Sequence, residues 1–179
     1  MASDETRNLA DERRRLMHEL DVERHQFLRN VEACRIRDID RPFVGAWSLR
    51  DVVGHVASWE AEVVTAVREL REGKRPALLE FDQSQIDRWN EDHVERKRDL
   101  HFWNVLEQLR GGRARLLEEL GVVSDDDLVT EGSVFRRLVH SVLDHDREHW
   151  HDIAARLAGM PGARHTGPVS IPEEARSTD

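Results

Sequence analysis

The residues best placed to do chemistry lie in one run, Asp144-His145-Asp146-Arg147-Glu148-His149-Trp150-His151. His145 and His149 are four residues apart, which in a helix stacks them on one face with about 6 Å of rise between them. Measured from Val142 at about 100° per residue, Phe135, Leu138, Val139, Ile153 and Arg156 fall within about 60° of one direction. His149 lies about 20° from that direction and His145 about 60°, so both join the inward stripe, whereas His140 and His151 point nearly the opposite way. An inward His-x-x-x-His pair is half of a metal site, because neutral imidazole is the commonest protein ligand for zinc-like ions. Two hydrogen-bonded core histidines have the same spacing. In a chain with ten histidines the pair alone leaves both readings open.

These side chains need helices to carry them. Leu16, Leu20, Phe27, Leu28 and Val31 give a helical stripe over residues 9–36, with His18 and His25 at its surface and Cys34 as a small buried hydrophobe near its end. Residues 38–45 break the pattern with Pro42 and Gly45, so they read as a loop. Ser48 is placed to cap a second helix, with Asp51 three residues on, and Leu49, Val52, Val53, Val56, Trp59, Val63, Val67 and Leu70 form its stripe. His55 sits on the shoulder of that stripe, at a helix–helix seam. A seam histidine is either a ligand or a hydrogen-bonded neighbour of another helix. Asp82 caps a short polar helix over 83–96, with His93 and His101 read as surface residues. A further long helix covers 102–120, where Gly111-Gly112 marks either close packing or a kink. Ser124 to Leu128 makes a capped turn, and the last helix covers 133–158. The stretch 161–179, His165 included, turns to Pro, Gly, Ser and Glu and reads as a mobile tail after a single domain over 1–160. No segment alternates with a two-residue period, and hairpin signals are missing. The expectation is an all-α, closed four-helix bundle with a short extra helix between its second and third long helices.

Composition removes other classes. A net charge of −9 argues against non-specific nucleic-acid binding, which needs a basic surface; Arg13-Arg14-Arg15 is flanked by acids and reads as a solvated helix face. No apolar run approaches the roughly 20 residues a bilayer span requires, so no membrane partner is expected. The first residues lack the apolar core of a signal peptide, and the lone Cys34 fits a reducing compartment, so the expected location is cytoplasmic.

Gly45-Ala46-Trp47-Ser48-Leu49-Arg50-Asp51-Val52-Val53-Gly54-His55-Val56-Ala57-Ser58-Trp59-Glu60 resembles the start of the second helix of DinB-like (DinB/YfiT-like) bundles, where Trp-Ser leads into a metal-ligand histidine. His145-x-x-x-His149-x-x-x-Ile153 is similar to the fourth-helix pair of that superfamily, and 86–100 resembles its ClbS/DfsB branch. The resemblance spans 9–157. It implies a ligand set of His55, His145 and His149. The superfamily's mycothiol-dependent isomerases have Glu where His145 stands, so in this respect the chain departs from them. The typical activities are thiol transfers with mycothiol, bacillithiol or glutathione-like cofactors, while the ClbS/DfsB branch includes a self-resistance protein that hydrolyses a cyclopropane warhead.

Three protein nitrogens leave a tetrahedral ion one open position, the pattern of a catalytic site. Water or a thiol bound there loses its proton readily, and the ligand set does not choose between them. Zinc is the first choice; nickel, iron and manganese suit the same nitrogens. Trp47, Trp59 and Trp89, with Trp150, either wall the site against a flat or apolar substrate or simply pack the core. Asp146 and Asp51 are candidates to orient a ligand imidazole, or else serve surface and capping roles. Glu60 is a candidate general base, or the partner of an arginine. The function expected is a metal-dependent enzyme acting on a small electrophile through activated water (a hydrolase) or thiolate (a thiol S-transferase), in detoxification or stress resistance. Its rival is a non-catalytic metal-binding or structural bundle. Related bundles often pair, and the exposed margins of the stripes permit a homodimer.

Overall fold

The structure, a computed structural model, describes residues 4–159; the expected tail lies outside them. The chain is all-α, with six α-helices among the described residues: α1 (Asp4–Ala33), α2 (Leu49–Arg71), α3 (Gln83–Lys97), α4 (Phe102–Gly121), α5 (Asp125–Val129) and α6 (Val134–Ala158). It divides into two compact units, Met1–Ala33 with Ser124–Asp179, and Cys34–Val123. None of the described helices is long and apolar enough to cross a membrane.

In the first unit α1 packs along α6. Glu12 pairs with Arg136 at 3.7 Å and Glu23 with Arg147 at 2.7 Å, so the ion pairs climb both helices in the same direction and the two run parallel. Leu16, Leu20, Phe27 and Val31 of α1 are buried, as are Leu138, Val139, Val142, Leu143, Ile153 and Leu157 of α6. Arg13 holds α5 through Asp125 at 2.8 Å. The inward face of α6 differs somewhat from the sequence expectation: Phe135 is half-buried and Arg156 exposed, while Asp146 and Trp150 are buried. The reason is polar. Arg24 and Glu23 reach across from α1 and make burial of those two residues affordable, which a stripe of apolar residues cannot reveal.

In the second unit α2 and α4 also run parallel, paired at Glu60–Arg113 (2.6 Å) and Arg68–Glu119 (2.7 Å). Helix α3 crosses back over α2, with Lys97 against Gly54 at one end and Trp89 against Trp59 at the other. The starts of the helices are written into the sequence. Ser48 accepts from the Asp51 amide at 3.2 Å while Asp51 accepts from the Ser48 amide at 3.0 Å. Asp82 and Gln85 repeat that capping box at α3, and Ser124 caps α5 through the Asp127 amide.

Two expectations need correction. The 38–45 stretch is not only a loop: strand β1 (Pro42–Val44) pairs antiparallel with β2 (Trp47–Ser48). Strands of three and two residues are too short to display alternation, and the turn is made by Gly45 at φ +58°, a left-handed conformation that favours glycine. The capped turn at 124–128 is the short helix α5. The glycine pair leaves α4 continuous. A Cβ on Gly112 would lie 2.9 Å from Glu60 Oε2, so this glycine serves close packing.

Candidate metal centre

On α6, His145 Nε2 and His149 Nε2 approach to 3.1 Å, with ring centroids 4.6 Å apart and the rings near perpendicular at 83°. Both residues are half-buried. Two nitrogens at about 2.0–2.1 Å from one tetrahedral zinc would be about 3.3 Å apart, so the observed separation fits an ion shared by the two rings. A hydrogen bond between the rings gives the same distance. Burial pushes the His149 pKa below its ordinary value, against the opposing pull of Glu148, Asp152 and Asp146. That favours the neutral imidazole that a metal ligand must be.

The flanking side chains are committed to α1. Asp146 is buried, and its two oxygens accept from Arg24 at 2.8 and 3.1 Å. Trp150 donates from Nε1 to Glu23 Oε2 at 2.7 Å, and its ring stacks on His151. Together they fix the rotation of α6 at the turn that carries the histidine pair.

In the second unit, α2 is buried on every side from Asp51 to Ser58, and His55 is 5% exposed. The capping box sets where α2 begins and β2 leads straight into it, which lays Trp47 back over the first turns. Its ring centroid is 4.9 Å from that of His55, tilted at 59°. Asp51 spends one oxygen on the cap and the other 3.5 Å from Arg98. Glu60 is 1% exposed and accepts from Arg113 Nε at 2.6 Å, the pairing with an arginine that was one of its two readings. Trp59 and Trp89 meet edge to face at 5.4 Å, and Trp89 stacks on His93 at 3.8 Å. His93 is thus half-buried rather than a surface residue. The signal was its i+4 relation to Trp89, hidden by the overall polarity of α3. Arg24 and Arg113 were also missed, because sequence gives no sign that a particular arginine is buried. A cleft of about 280 Å³ at the start of α2 is lined by Asp40, Ser48, Arg50, Asp51 and Arg98, whose charges cancel.

The donor set suits a nitrogen-preferring divalent cation, since imidazole serves zinc, nickel, iron and copper alike. No curated protein and no solved structure matches the chain. Residues 20–158 match the model of the mycothiol maleylpyruvate isomerase N-terminal domain, a DinB-like metal-binding domain associated with thiol-related enzymes. The match upholds the DinB/YfiT-like superfamily and lends nothing to the ClbS/DfsB branch. The chain belongs to the family of mycothiol maleylpyruvate isomerase N-terminal domains.

Proposed function

We propose that this chain is a divalent-metal-dependent enzyme that sets a small thiol against a small electrophile, with His55, His145 and His149 as the ligands. The observation that carries the reading is the 3.1 Å approach of the two α6 imidazoles in a member of a metal-binding family. His55 is the third ligand that the resemblance to DinB-like bundles implies. A divalent ion bound there supplies a Lewis-acid position at which a thiol or water becomes a nucleophile at neutral pH. The chain's own residues prepare the place. Arg24 and Asp146 hold the α6 turn, Trp47 packs against the His55 ring and limits its rotation, and burial keeps His149 neutral. Mycothiol, bacillithiol or glutathione would be the thiol, and zinc the first metal to try. The family association with thiol enzymes favours thiol over water as the nucleophile.

The test is metal analysis of the purified protein beside His149→Ala, then incubation with each thiol and a panel of epoxides and conjugated enones. One equivalent of metal in the wild type, its loss in the variant, and thiol consumed in step with a conjugate are expected. Product formed with thiol required but not consumed would indicate an isomerase, and product formed without thiol a hydrolase. A metal-loaded protein inert to the whole panel would leave the non-catalytic bundle.

A further inference from the structure

We propose that the α2–α3 seam beside His55 recognises the flat, neutral, conjugated carbonyl part of a ligand. Ser58 and Asn90 would supply the hydrogen bonds, and Trp59 and Trp89 the apolar wall. The inference deepens the proposed function and rests on its placing of His55 at the reaction centre. Its starting point is Ser58, three residues after His55 on α2, 6% exposed and with no hydrogen-bond partner for its hydroxyl. A buried hydroxyl left unpaired is destabilising, and a serine in a helix normally has the carbonyl one turn back to use. Here it uses neither.

The direction of Ser58 follows from its neighbours. Gly54 lies against Lys97 of α3 and Val105 of α4, and Trp59 lies against Trp89 of α3, so α3 touches both sides of this face of α2. On the helical wheel Ser58 falls between them, about 40° from Gly54 and about 100° from Trp59, and therefore faces α3. The face that α3 presents includes Asn90, whose Oδ1 is also buried without a partner. Two helices thus turn an unsatisfied donor and an unsatisfied acceptor into one seam, one turn from His55.

The surroundings select the ligand. Trp59 and Trp89 are each half-buried, which leaves aromatic surface against which a planar group can lie. Arg88 and Arg96 of α3 are exposed, and the Lys97 amine is engaged by Gln108 at 2.8 Å, which favours a neutral ligand over an anionic one. A carbonyl oxygen would accept from Ser58, and an adjacent N–H or O–H would donate to Asn90 Oδ1. An unsaturated amide offers both on a flat frame.

The experiment measures cinnamamide binding to the protein as purified, with its metal content determined, by tryptophan fluorescence and ligand-observed NMR, with cinnamate and β-methylstyrene as controls. Cinnamamide is expected to bind better than either control. Ser58→Ala should weaken it by about tenfold, the loss of one hydrogen bond, with metal content unchanged and a Tm equal to or above that of the wild type. Asn90→Leu should weaken it similarly. Absence of cinnamamide binding to the wild type at millimolar concentration would overturn the proposal. So would Ser58→Ala binding unchanged, or a fall in Tm with affinity intact, which would assign the hydroxyl to the fold. If cinnamamide binds with this dependence but no metal is found, the metalloenzyme reading fails and the recognition site stands. A thiol-active metalloprotein whose cinnamamide affinity ignores Ser58 gives the reverse.

Discussion

At the scale of single residues, burial has opposite consequences for two titratable groups. Burial, with the negative charge of Asp38, pushes the Cys34 thiol up to about 12. Almost no thiolate then exists at pH 8, and iodoacetamide should leave the native protein unlabelled under conditions that label it fully in urea. Rapid labelling of the folded chain would contradict this. Lys97 moves the other way, down to about 8 from 10.5, because its stem lies against Gly54 and its ammonium loses water. The folded state therefore holds this proton less tightly than the unfolded state, and between pH 8 and 10.5 the unfolded chain binds more protons. Stability contributed by this group rises with pH across that window, and at pH 7 the charged amine is a burden. Lys97→Met should stabilise the protein by about 1 kcal/mol at pH 7, a figure discounted because the amine tip reaches solvent beside Gln108, and the gain should vanish above pH 10.5. Urea unfolding at the two pH values checks it. This is also the scale at which the sequence was least legible. The i, i+4 spacing gave the His145–His149 pair, because helical geometry alone decides it. The partners of Asp146 and Glu60 were invisible, because Arg24 and Arg113 are more than fifty residues away in the chain.

Helices were far easier to read than their partners. Capping chemistry fixed the starts of α2 and α3 at Ser48 and Asp82, and marked Ser124 as the cap of what read as a turn and is α5, since each cap is a local bond between residues three apart. The β1–β2 pair was missed because its register depends on a glycine turn rather than on a hydrophobic pattern. Neither could sequence show that α1 with α6, and α2 with α4, run parallel, which only the ladders of ion pairs reveal. The glycines of α4 give an element-scale test. At Gly111 a Cβ meets only the tip of Arg115, at an ordinary 3.5 Å, so Gly111→Ala should gain up to about 1 kcal/mol of helix propensity. At Gly112 the same methyl lies 2.9 Å from Glu60 Oε2, and the other oxygen of that buried carboxylate accepts from Arg113 Nε. The helix-propensity gain is then opposed by displacing a buried carboxylate from its arginine, which costs more. Gly112→Ala should lower Tm by several degrees while Gly111→Ala raises it slightly. Equal shifts would show that α2 and α4 do not meet as closely as described.

A metal ion bound at the proposed site would act on the whole molecule through linkage. Each unit carries buried apolar residues, with Leu20, Phe27, Val139 and Ile153 fully enclosed in one and Val52, Val63, Leu109 and Leu116 in the other. A chain of 179 residues with cores of this kind does not need an ion in order to fold, unlike a zinc finger. The metal-free protein should therefore keep its helical circular dichroism and a cooperative melt. Metal that binds the native state alone adds stability as RT ln(1 + [M]/Kd), about 2.7 kcal/mol at a hundredfold excess over Kd. For a chain of this length that is roughly 5–10 °C in Tm. If His55, His145 and His149 share one ion, replacing any of the three with alanine should abolish most of that increment while moving the metal-free Tm much less. A metal-dependent rise that survives His55→Ala would restrict the ligands to α6. Collapse of the wild type on metal removal would mean that the ion holds the fold together, and the case for an open, reactive coordination position would fall with it.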